Sequence, residues 1–421
     1  MATLAVIGGG WAGLAAAVEG VQRGLVVTLY ETAAQLGGRA RSVSVGAREL
    51  DNGQHILIGA YTETLRMMRL VGADPDGALL RTPLRLVDAD GHGLALPSGH
   101  PAIAFVRGVL AQRAWPWRER YALLLAAAGW ARNGFVCAPT LDVAALTAAL
   151  PARVRDELID PLCVAALNTP AASASGAVFL RVLKDALFSG PGSADLLLPR
   201  AGLSALFPQP AAAWLTQAGA AVRCGQRVQR IAPAAGGWEI DGTRYDRVVL
   251  AAPAGEAARL AQPIAPDWSA RATALQHEPI VSVYLRGTGV RLPAPMLALP
   301  SGHDMPAQFV FDRGQLGGEA GLLAFVISGA QVWTSRGRDI TLNATKRQAE
   351  AALGRFVPGR LETVSVLTEK RATFACTPAL ERPPQAVAPG LSAAGDYIEG
   401  PYPATLEGAI RSGLAAIGSV R

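Results

Sequence analysis

The chain has 421 residues, a formal net charge of +6 and a mean hydropathy of +0.25, which leaves room for two domains and a sizeable core. Arginine carries nearly all of the positive charge, since only Lys184, Lys346 and Lys370 are lysines. No basic run is interleaved with aromatic residues, which argues against a nucleic-acid partner.

The cysteines are scattered along the chain, without a CxxC pair or a neighbouring histidine: Cys137, Cys163, Cys224 and Cys376. This pattern argues against a metal site and against a disulfide framework, and it favours reduced thiols in the cytoplasm. The apolar N-terminus lacks a basic leader, so we expect no signal peptide. No apolar run is long enough to span a bilayer.

A predicted strand, a glycine turn, a small-residue helix and a second strand open the chain and end at Glu31. The turn places Gly8, Gly10 and Gly13 in the pattern GxGxxG, with Ala12 before the last glycine. The glycines allow a tight bend, close approach of a pyrophosphate and helix packing, and the Glu31 carboxylate can accept hydrogen bonds from ribose hydroxyls. The order of elements predicts an α/β fold with a Rossmann-type FAD/NAD(P)-binding domain; the alternative is a glycine turn that binds nothing.

A second glycine pair follows Glu31 and ends in arginines, reading Gly37-Gly38-Arg39-Ala40-Arg41. Arginines can neutralise a pyrophosphate through paired hydrogen bonds. The arrangement resembles the flavoprotein superfamily of amine oxidases, protoporphyrinogen oxidases and carotenoid desaturases. The resemblance implies that the cofactor is FAD, with Gly38 and Arg39 among the residues that bind it.

The next segment, Asp51 to Tyr61, reads DNGQHILIGAY. It resembles the GxHIxxGAY segment of plant-type phytoene and zeta-carotene desaturases, which implies a place beside the isoalloxazine ring, with Gly53 binding the cofactor. His55 is the first candidate for a catalytic acid, because an imidazole can titrate near neutrality. Alternatively, His55 only hydrogen-bonds the flavin or a backbone carbonyl. Asp51 is a weaker candidate that could instead orient His55.

Helices are predicted from about 101 to 190, after a hairpin of 84–87 and 93–96, with breaks at Pro139, Pro151 and Pro170. Within them, residues 115–132 combine tryptophans and arginines around a short apolar helix. That composition suits a membrane interface. A helix packed in the core of the second domain is the alternative.

Short strands return after residue 200, and this block resembles the part of an FAD domain that follows an inserted substrate domain. They are predicted at 222–224, 228–231, 238–240 and 248–251. The resemblance implies that the Val228 backbone meets the adenine. Further strands at 280–285, 322–327 and 361–367, with a helix at about 345–356, are assigned to the sheet of the substrate domain.

The domain division that follows is discontinuous. Residues 1–75, 200–255 and 385–421 are assigned to the FAD-binding domain. Residues 76–199 and 256–384 are assigned to an inserted α+β substrate domain, whose helical part, 101–190, either faces the membrane or packs inside.

The C-terminal segment reads LSAAGDY, then YPATLEGA. Asp396 follows Gly395 after a predicted strand and can accept from ribityl hydroxyls, while the following helix points its free amides at the electron-rich edge of a flavin. Thr405 and Leu406 begin that helix and are assigned to cofactor binding. Tyr402 is a weaker catalytic candidate that could simply pack on the flavin edge.

Motifs in the middle of the chain narrow the resemblance. They are PLCVAALNTP at 161–170, DLLLPR at 195–200 and LSALFP at 203–208. They resemble the squalene-associated FAD-dependent desaturases of bacterial hopanoid clusters, the hydroxysqualene dehydroxylases. This resemblance implies reductive removal of an allylic hydroxyl to give squalene, by an acid and by hydride from reduced FAD in a dry, apolar tunnel.

The same resemblance implies a long-chain isoprenoid substrate, a separate electron donor and a cytoplasmic enzyme on the inner face of the bacterial membrane. The donor stays open between a transient nicotinamide, a ferredoxin-type protein and a quinol, since only one dinucleotide fingerprint is visible. Two other function classes also stay open. One is an oxidative polyene desaturase or amine oxidase, although the C-terminal third is poor in Trp and Tyr for an amine-binding aromatic cage; the other is a non-catalytic prenyl-lipid escort.

Overall fold

A computed structural model describes residues 1–418, so the last three residues of the predicted segment 385–421 lie outside the described residues. Its strands in chain order are β1 (Thr3–Ile7), β2 (Val26–Glu31), β3 (Ser42–Val45), β4 (Arg48–Asp51), β5 (Leu57–Ile58), β6 (Leu79–Thr82), β7 (Arg85–Val87), β8 (Gly93–Ala95), β9 (Leu196–Pro199), β10 (Ala221–Cys224), β11 (Ile231–Ala234), β12 (Gly237–Ile240), β13 (Thr243–Tyr245), β14 (Arg247–Leu250), β15 (His277–Arg286), β16 (Met296–Ala298), β17 (Phe309–Asp312), β18 (Leu322–Ile327), β19 (Glu362–Phe374), β20 (Ala386–Ala388) and β21 (Leu391–Ala393).

The helices are α1 (Trp11–Gln22), α2 (Thr62–Leu70), α3 (Pro75–Ala78), α4 (Pro101–Ala111), α5 (Trp117–Arg132), α6 (Val143–Leu146), α7 (Ala152–Val154), α8 (Asp160–Leu167), α9 (Gly176–Phe188), α10 (Leu203–Leu206), α11 (Pro208–Gln217), α12 (Ala254–Ala261), α13 (Pro266–Thr273), α14 (Gln331–Arg336), α15 (Arg338–Leu353) and α16 (Leu406–Gly418). A π-helical turn covers Arg155–Ile159, and 3₁₀ turns cover Arg313–Leu316 and Gly354–Phe356.

A six-stranded sheet in the order β10-β2-β1-β14-β21-β20 forms the first layer, and all but β20 run parallel. Its central strands are almost continuously apolar because both faces are covered, which is usual for parallel sheets. Helices α1 and α16 pack against each other on this sheet. A Cβ on Gly413 of α16 would lie 2.2 Å from Ala12 O of α1, so the two helix backbones nearly touch. This parallel sheet confirms the predicted α/β class.

A five-stranded antiparallel sheet in the order β16-β17-β18-β15-β19 forms the second layered unit. Helices α4 to α9 form a separate group. The strand that follows them, β9, pairs with β5 and β6. Asn168 anchors this helical group to the sheet. Its side-chain amide donates to Glu278 O at 3.2 Å and to Thr373 Oγ1 at 2.9 Å, and its Oδ1 accepts from Gly329 N at 2.7 Å.

The two large sheets come from different parts of the chain, whereas the small sheet β5-β9-β6 combines strands from both predicted domains. All six strands of the parallel sheet come from residues 1–75, 200–255 and 385–418, and all five of the antiparallel sheet come from 256–384. The full domain division stays a prediction, because the sheets alone do not show at which residue each domain begins or ends.

Several local expectations are wrong. The chain enters β11 only at Ile231, because the backbone before it is held by the Asp241 carboxylate, which accepts from Gln229 N and Arg230 N instead of leaving them to a ladder. The helix expected at about 345–356 is α15, which begins at Arg338 and ends at Leu353. In the segment 115–132, for which a membrane interface and the core were both open, Trp115 has no exposed surface and packs in the core.

Candidate cofactor and active site

The first glycine turn leaves the N-terminus of α1 open. Gly8 has φ +114°, and a Cβ there would lie 2.4 Å from Ala251 O, so no larger residue fits. A Cβ on Gly13 would lie 1.8 Å from Gly8 O. Gly10 precedes α1, and no side chain within the described residues caps that helix. The free N–H groups and the helix dipole therefore make an anion site there, with Ala12 in the first turn.

The second glycine pair closes on the first. Gly37 N donates to Gly9 O at 2.8 Å, and a Cβ on Gly38 would lie 3.2 Å from the Gly10 Cα. Arg41 follows this pair, and its Nε is buried without a partner in the described chain. A groove lined by glycines, with a buried arginine nitrogen that has no partner in the described residues, fits a pyrophosphate.

Glu31 stands at the carboxyl end of β2, facing the same turn. Its Oε2 accepts from Gly9 N and its Oε1 from Ala33 N, both at 2.7 Å. A carboxylate offers about four lone-pair sites. Glu31 can therefore still accept from ribose hydroxyls, as its place in the sequence predicted.

Arg39 and Asp396 form an ion pair that joins the start of the chain to its end. Arg39 Nη1 also donates to Ala372 O at 2.8 Å, and Asp396 is buried. Gly395 N donates to Ser412 Oγ of α16 at 3.0 Å, which fixes the strand end against the helix. The predicted pyrophosphate and ribityl residues are therefore brought together in one place.

His55 lies half-buried in the loop between β4 and β5. Its Nδ1 is 2.9 Å from Gly53 O, and because a carbonyl only accepts, the neutral ring carries its proton on Nδ1. Burial lowers the pKa of His55; the charge of Arg39 acts in the same direction, while the Gly53 carbonyl and Asp51 oppose it. Only the doubly protonated ring can deliver a proton from Nε2.

Asp51 does not orient His55, contrary to the second expectation for it. Its Oδ1 accepts from Ser42 Oγ at 2.9 Å and from Leu203 N at 2.8 Å. Its Oδ2 lies 4.0 Å from Arg313 Nη2. The carboxylate thus ties β4 to α10, and Gly53 O takes the orienting role.

Tyr402 lies between two guanidinium groups. The guanidinium carbons of Arg181 and Arg411 are 5.6 Å and 5.0 Å from the centre of its ring. Its backbone oxygen accepts from the Thr405 hydroxyl at 2.9 Å, and that hydroxyl in turn accepts from Gly408 N at 2.9 Å, so Thr405 caps α16 where Leu406 begins it. Burial raises the pKa of Tyr402, which makes it a poorer proton donor.

Val228 is buried, and its backbone oxygen accepts from Arg259 Nη2 at 2.9 Å. Arg259 comes from α12 and also pairs with Glu256. The Val228 carbonyl therefore already has one partner, and its predicted contact with an adenine stays a prediction.

Three side chains that shape this site were missed in the sequence. Arg181 of α9 contacts Tyr402, and Arg313 lies within 3.4 Å of Gln54 Oε1. Glu407 is fully buried and accepts from the N–H and the hydroxyl of Thr64, so it caps α2 from α16. Arg181 and Arg313 reach the site from distant elements without a local motif, whereas the YPATLEGA segment itself contained Glu407.

Comparisons with known proteins agree with this geometry. The family described as flavin containing amine oxidoreductase matches residues 11–417. The hydroxysqualene dehydroxylase of Rhodopseudomonas palustris is 29% identical over 439 aligned residues, covering 98% of this chain and 97% of that protein. The zeta-carotene desaturase of Zea mays is 39% identical over 72 residues, which cover 17% of this chain and 13% of that protein.

A solved structure shares the fold over the whole length. The oxidoreductase from Methanosarcina mazei superposes with a TM-score of 0.73 at 16% identity, covering 99% of this chain and 100% of that one. At this identity the likeness concerns the fold alone.

Proposed function

This chain belongs to the flavin-containing amine oxidoreductases, and from that premise we propose that it removes the allylic hydroxyl of hydroxysqualene reductively to give squalene. It is an FAD-dependent oxidoreductase. The observation that carries the proposed reaction is the similarity to a hydroxysqualene dehydroxylase over 98% of the chain. The proposed role is a squalene-forming step in bacterial hopanoid biosynthesis.

We assign FAD to the groove between the two glycine pairs. The α1 N-terminus and Arg41 would hold its pyrophosphate, Glu31 its ribose, and the Arg39–Asp396 pair its ribityl chain. Reduced FAD supplies the hydride that replaces the hydroxyl. The chain itself must hold this cofactor, exclude water and bring one proton to the leaving oxygen.

Proton transfer to the leaving hydroxyl is the step that the protein's own residues must perform. Protonation of the hydroxyl lets the C–O bond break and water leave, and the allylic carbon then forms its new C–H bond. His55 is the proposed donor, from Nε2 of its protonated ring, with Gly53 O holding Nδ1. The raised pKa of Tyr402 and the engaged carboxylate of Asp51 support His55 over both of them.

The partners follow from the substrate. A C30 isoprenoid partitions into lipid, so we propose that the protein works at the inner face of the membrane, as a peripheral enzyme with a separate electron donor. Within residues 1–418 no helix has the length and apolarity of a membrane span.

The test is product formation from hydroxysqualene by chemically reduced enzyme without oxygen. The expected product is squalene, one per flavin, identified by mass spectrometry.

The similarity to a zeta-carotene desaturase over a short segment supports a second candidate, oxidative polyene desaturation. Desaturation of a polyene by the oxidised enzyme, with no squalene from the reduced one, would favour that second function.

A further inference from the structure

Helices α4 and α5 expose an unusual amount of apolar surface. Of the 13 large apolar side chains that are exposed in residues 1–418, eight lie between residues 103 and 188. Six of them lie on α4 and α5, and we call these six residues the α4–α5 face: Ile103, Val106, Leu110, Trp117, Tyr121 and Leu125. Their spacings of three and four residues place each set of three along one side of its helix. Large exposed apolar patches mark interaction surfaces.

Helix α5 packs on the core through Leu123, with Leu124, Ala126 and Trp130 partly buried beside it. Only Leu123 of its 16 residues is buried, although the helix contains the apolar run ALLLAAAGW. Trp117 is 68% exposed and Leu125 is 54% exposed. The side of α5 that carries Trp117, Tyr121 and Leu125 therefore lacks a partner within the described residues.

The connection between the two helices is nevertheless held by specific hydrogen bonds. Trp115 is fully buried and donates from Nε1 to Glu157 Oε2 at 2.7 Å. Arg120 donates to Trp115 O and to Leu110 O, both at 2.8 Å. These contacts of Trp115 and Arg120 hold α4 and α5 together and so preorganise the α4–α5 face. Trp115 is buried, and Trp117 is the exposed tryptophan.

The charge around the face is mainly positive. Residues 101–136 contain five arginines and one acidic residue: Arg107, Arg113, Arg118, Arg120, Arg132 and Glu119. Arg118 stacks on Trp117, with its guanidinium carbon 5.7 Å from the ring centre. Exposed apolar and aromatic groups flanked by arginine suit the headgroup region of an anionic bilayer.

The face is also close to the proposed active site through a single helix. Helix α4 contacts α9, and Arg181 of α9 lies over the ring of Tyr402. A bilayer seated on α4 and α5 would thus be one helix away from the residues around the flavin site.

We propose that the α4–α5 face docks the protein on an anionic lipid surface. The docking itself involves no substrate and does not depend on the proposed function. Only the idea that an apolar substrate arrives from the bilayer rests on that function. An isoprenoid dissolved in the bilayer would then reach the site without crossing water.

The experiment measures flotation of the FAD-loaded protein with vesicles, without substrate. Wild type should float with phosphatidylglycerol–phosphatidylethanolamine vesicles and bind phosphatidylcholine vesicles less. The variant Leu110→Glu, Trp117→Glu, Leu125→Glu should remain unbound with its flavin retained. The matched control Val332→Glu, Ile340→Glu changes exposed apolar residues of α14 and α15 and should float like wild type.

A second variant keeps the apolar face and removes charge. Arg107→Gln, Arg113→Gln, Arg118→Gln should weaken binding to anionic vesicles by roughly fivefold per arginine. Equal flotation of the apolar variant and wild type would overturn the proposal. So would a wild type that binds no vesicles but forms a dimer which the apolar variant dissolves, because the occupant would then be a second copy.

An activity measurement separates this proposal from the proposed function. The apolar variant should convert detergent-solubilised hydroxysqualene as wild type does, and lose conversion of vesicle-embedded hydroxysqualene. If wild type converts neither but floats as expected, the proposed function fails and the docking surface stands.

Discussion

At the scale of single residues, the Glu31 carboxylate holds the glycine turn, and in the proposed cofactor site it also accepts from the ribose. Glu31→Ala removes a charged acceptor, and such hydrogen bonds contribute roughly 1.5–3 kcal/mol each. We expect the variant to lose FAD on desalting, as measured by flavin absorbance per protein. Glu350→Ala, on the exposed side of α15, should retain it.

The same loss is expected for Asp396→Ala, which leaves Arg39 without its ion-pair partner. Full flavin retention by both the Glu31 and the Asp396 variants would contradict the assigned groove.

His55 gives a prediction for pH dependence. An acid must be protonated before it reacts, so the rate falls as pH rises through its pKa. Burial sets the pKa of His55 below its usual 6.5, and the fall should therefore be centred below pH 6.5. The measurement is the rate at which hydroxysqualene reoxidises the reduced enzyme, taken across this range.

The variant His55→Ala should keep FAD and slow that reaction by about 10² to 10⁴, the usual effect of losing a general acid. An unchanged rate in His55→Ala would move the proton donor to Asp51, Tyr402 or a bound water.

At the scale of elements, the contact between α1 and α16 supports the cofactor groove. Gly413→Ala would place a Cβ 2.2 Å from Ala12 O, and overpacking of this kind costs about 1–3 kcal/mol. Gly129→Ala in α5 meets nothing within 4 Å and should stabilise by up to about 1 kcal/mol. Urea unfolding should show a lower free energy of unfolding for Gly413→Ala and a higher one for Gly129→Ala. A stabilised Gly413→Ala would show that the helices do not pack as described.

The segment around Asn168 is a structural joint. Asn168→Ala would leave Gly329 N without its acceptor, at roughly 1–3 kcal/mol. It would also place alanine at φ +50°, at a further cost of about 1–2 kcal/mol. We expect a lower urea midpoint, whereas Asn133→Ala, at the exposed end of α5, should change stability by less than about 0.5 kcal/mol. Equal urea midpoints for the two variants would contradict this structural role of Asn168.

Local patterns predicted the elements that depend on near neighbours. The first strand-turn-helix-strand unit and the hairpin of β7 and β8 are confirmed, because their registers follow from adjacent residues. For residues 115–132 the local pattern left the membrane interface and the core open, and it could not place Trp115 because the indole of Trp115 pairs with Glu157, 42 residues away. The strand expected at 228 failed for the same reason, since Asp241 occupies the backbone donors at its start.

At the scale of the whole molecule, the two ends of the chain meet at one groove. Arg39 and Asp396 are 357 residues apart and form an ion pair, and Glu407 of α16 caps α2. The sequence could predict both ends as cofactor segments from their motifs. It could not predict Arg181 and Arg313, because helical and sheet regions of the other unit bring them to the site without a motif of their own.

The central claim is that this FAD-dependent enzyme reduces an allylic alcohol. The most direct measurement is the flavin spectrum in anaerobic half-reactions with hydroxysqualene, phytoene and a primary amine. The account predicts that hydroxysqualene reoxidises the reduced flavin with one squalene formed per flavin, and that phytoene and the amine leave the oxidised flavin unchanged. Reduction of the oxidised flavin by phytoene or by the amine, with no reoxidation by hydroxysqualene, would contradict it.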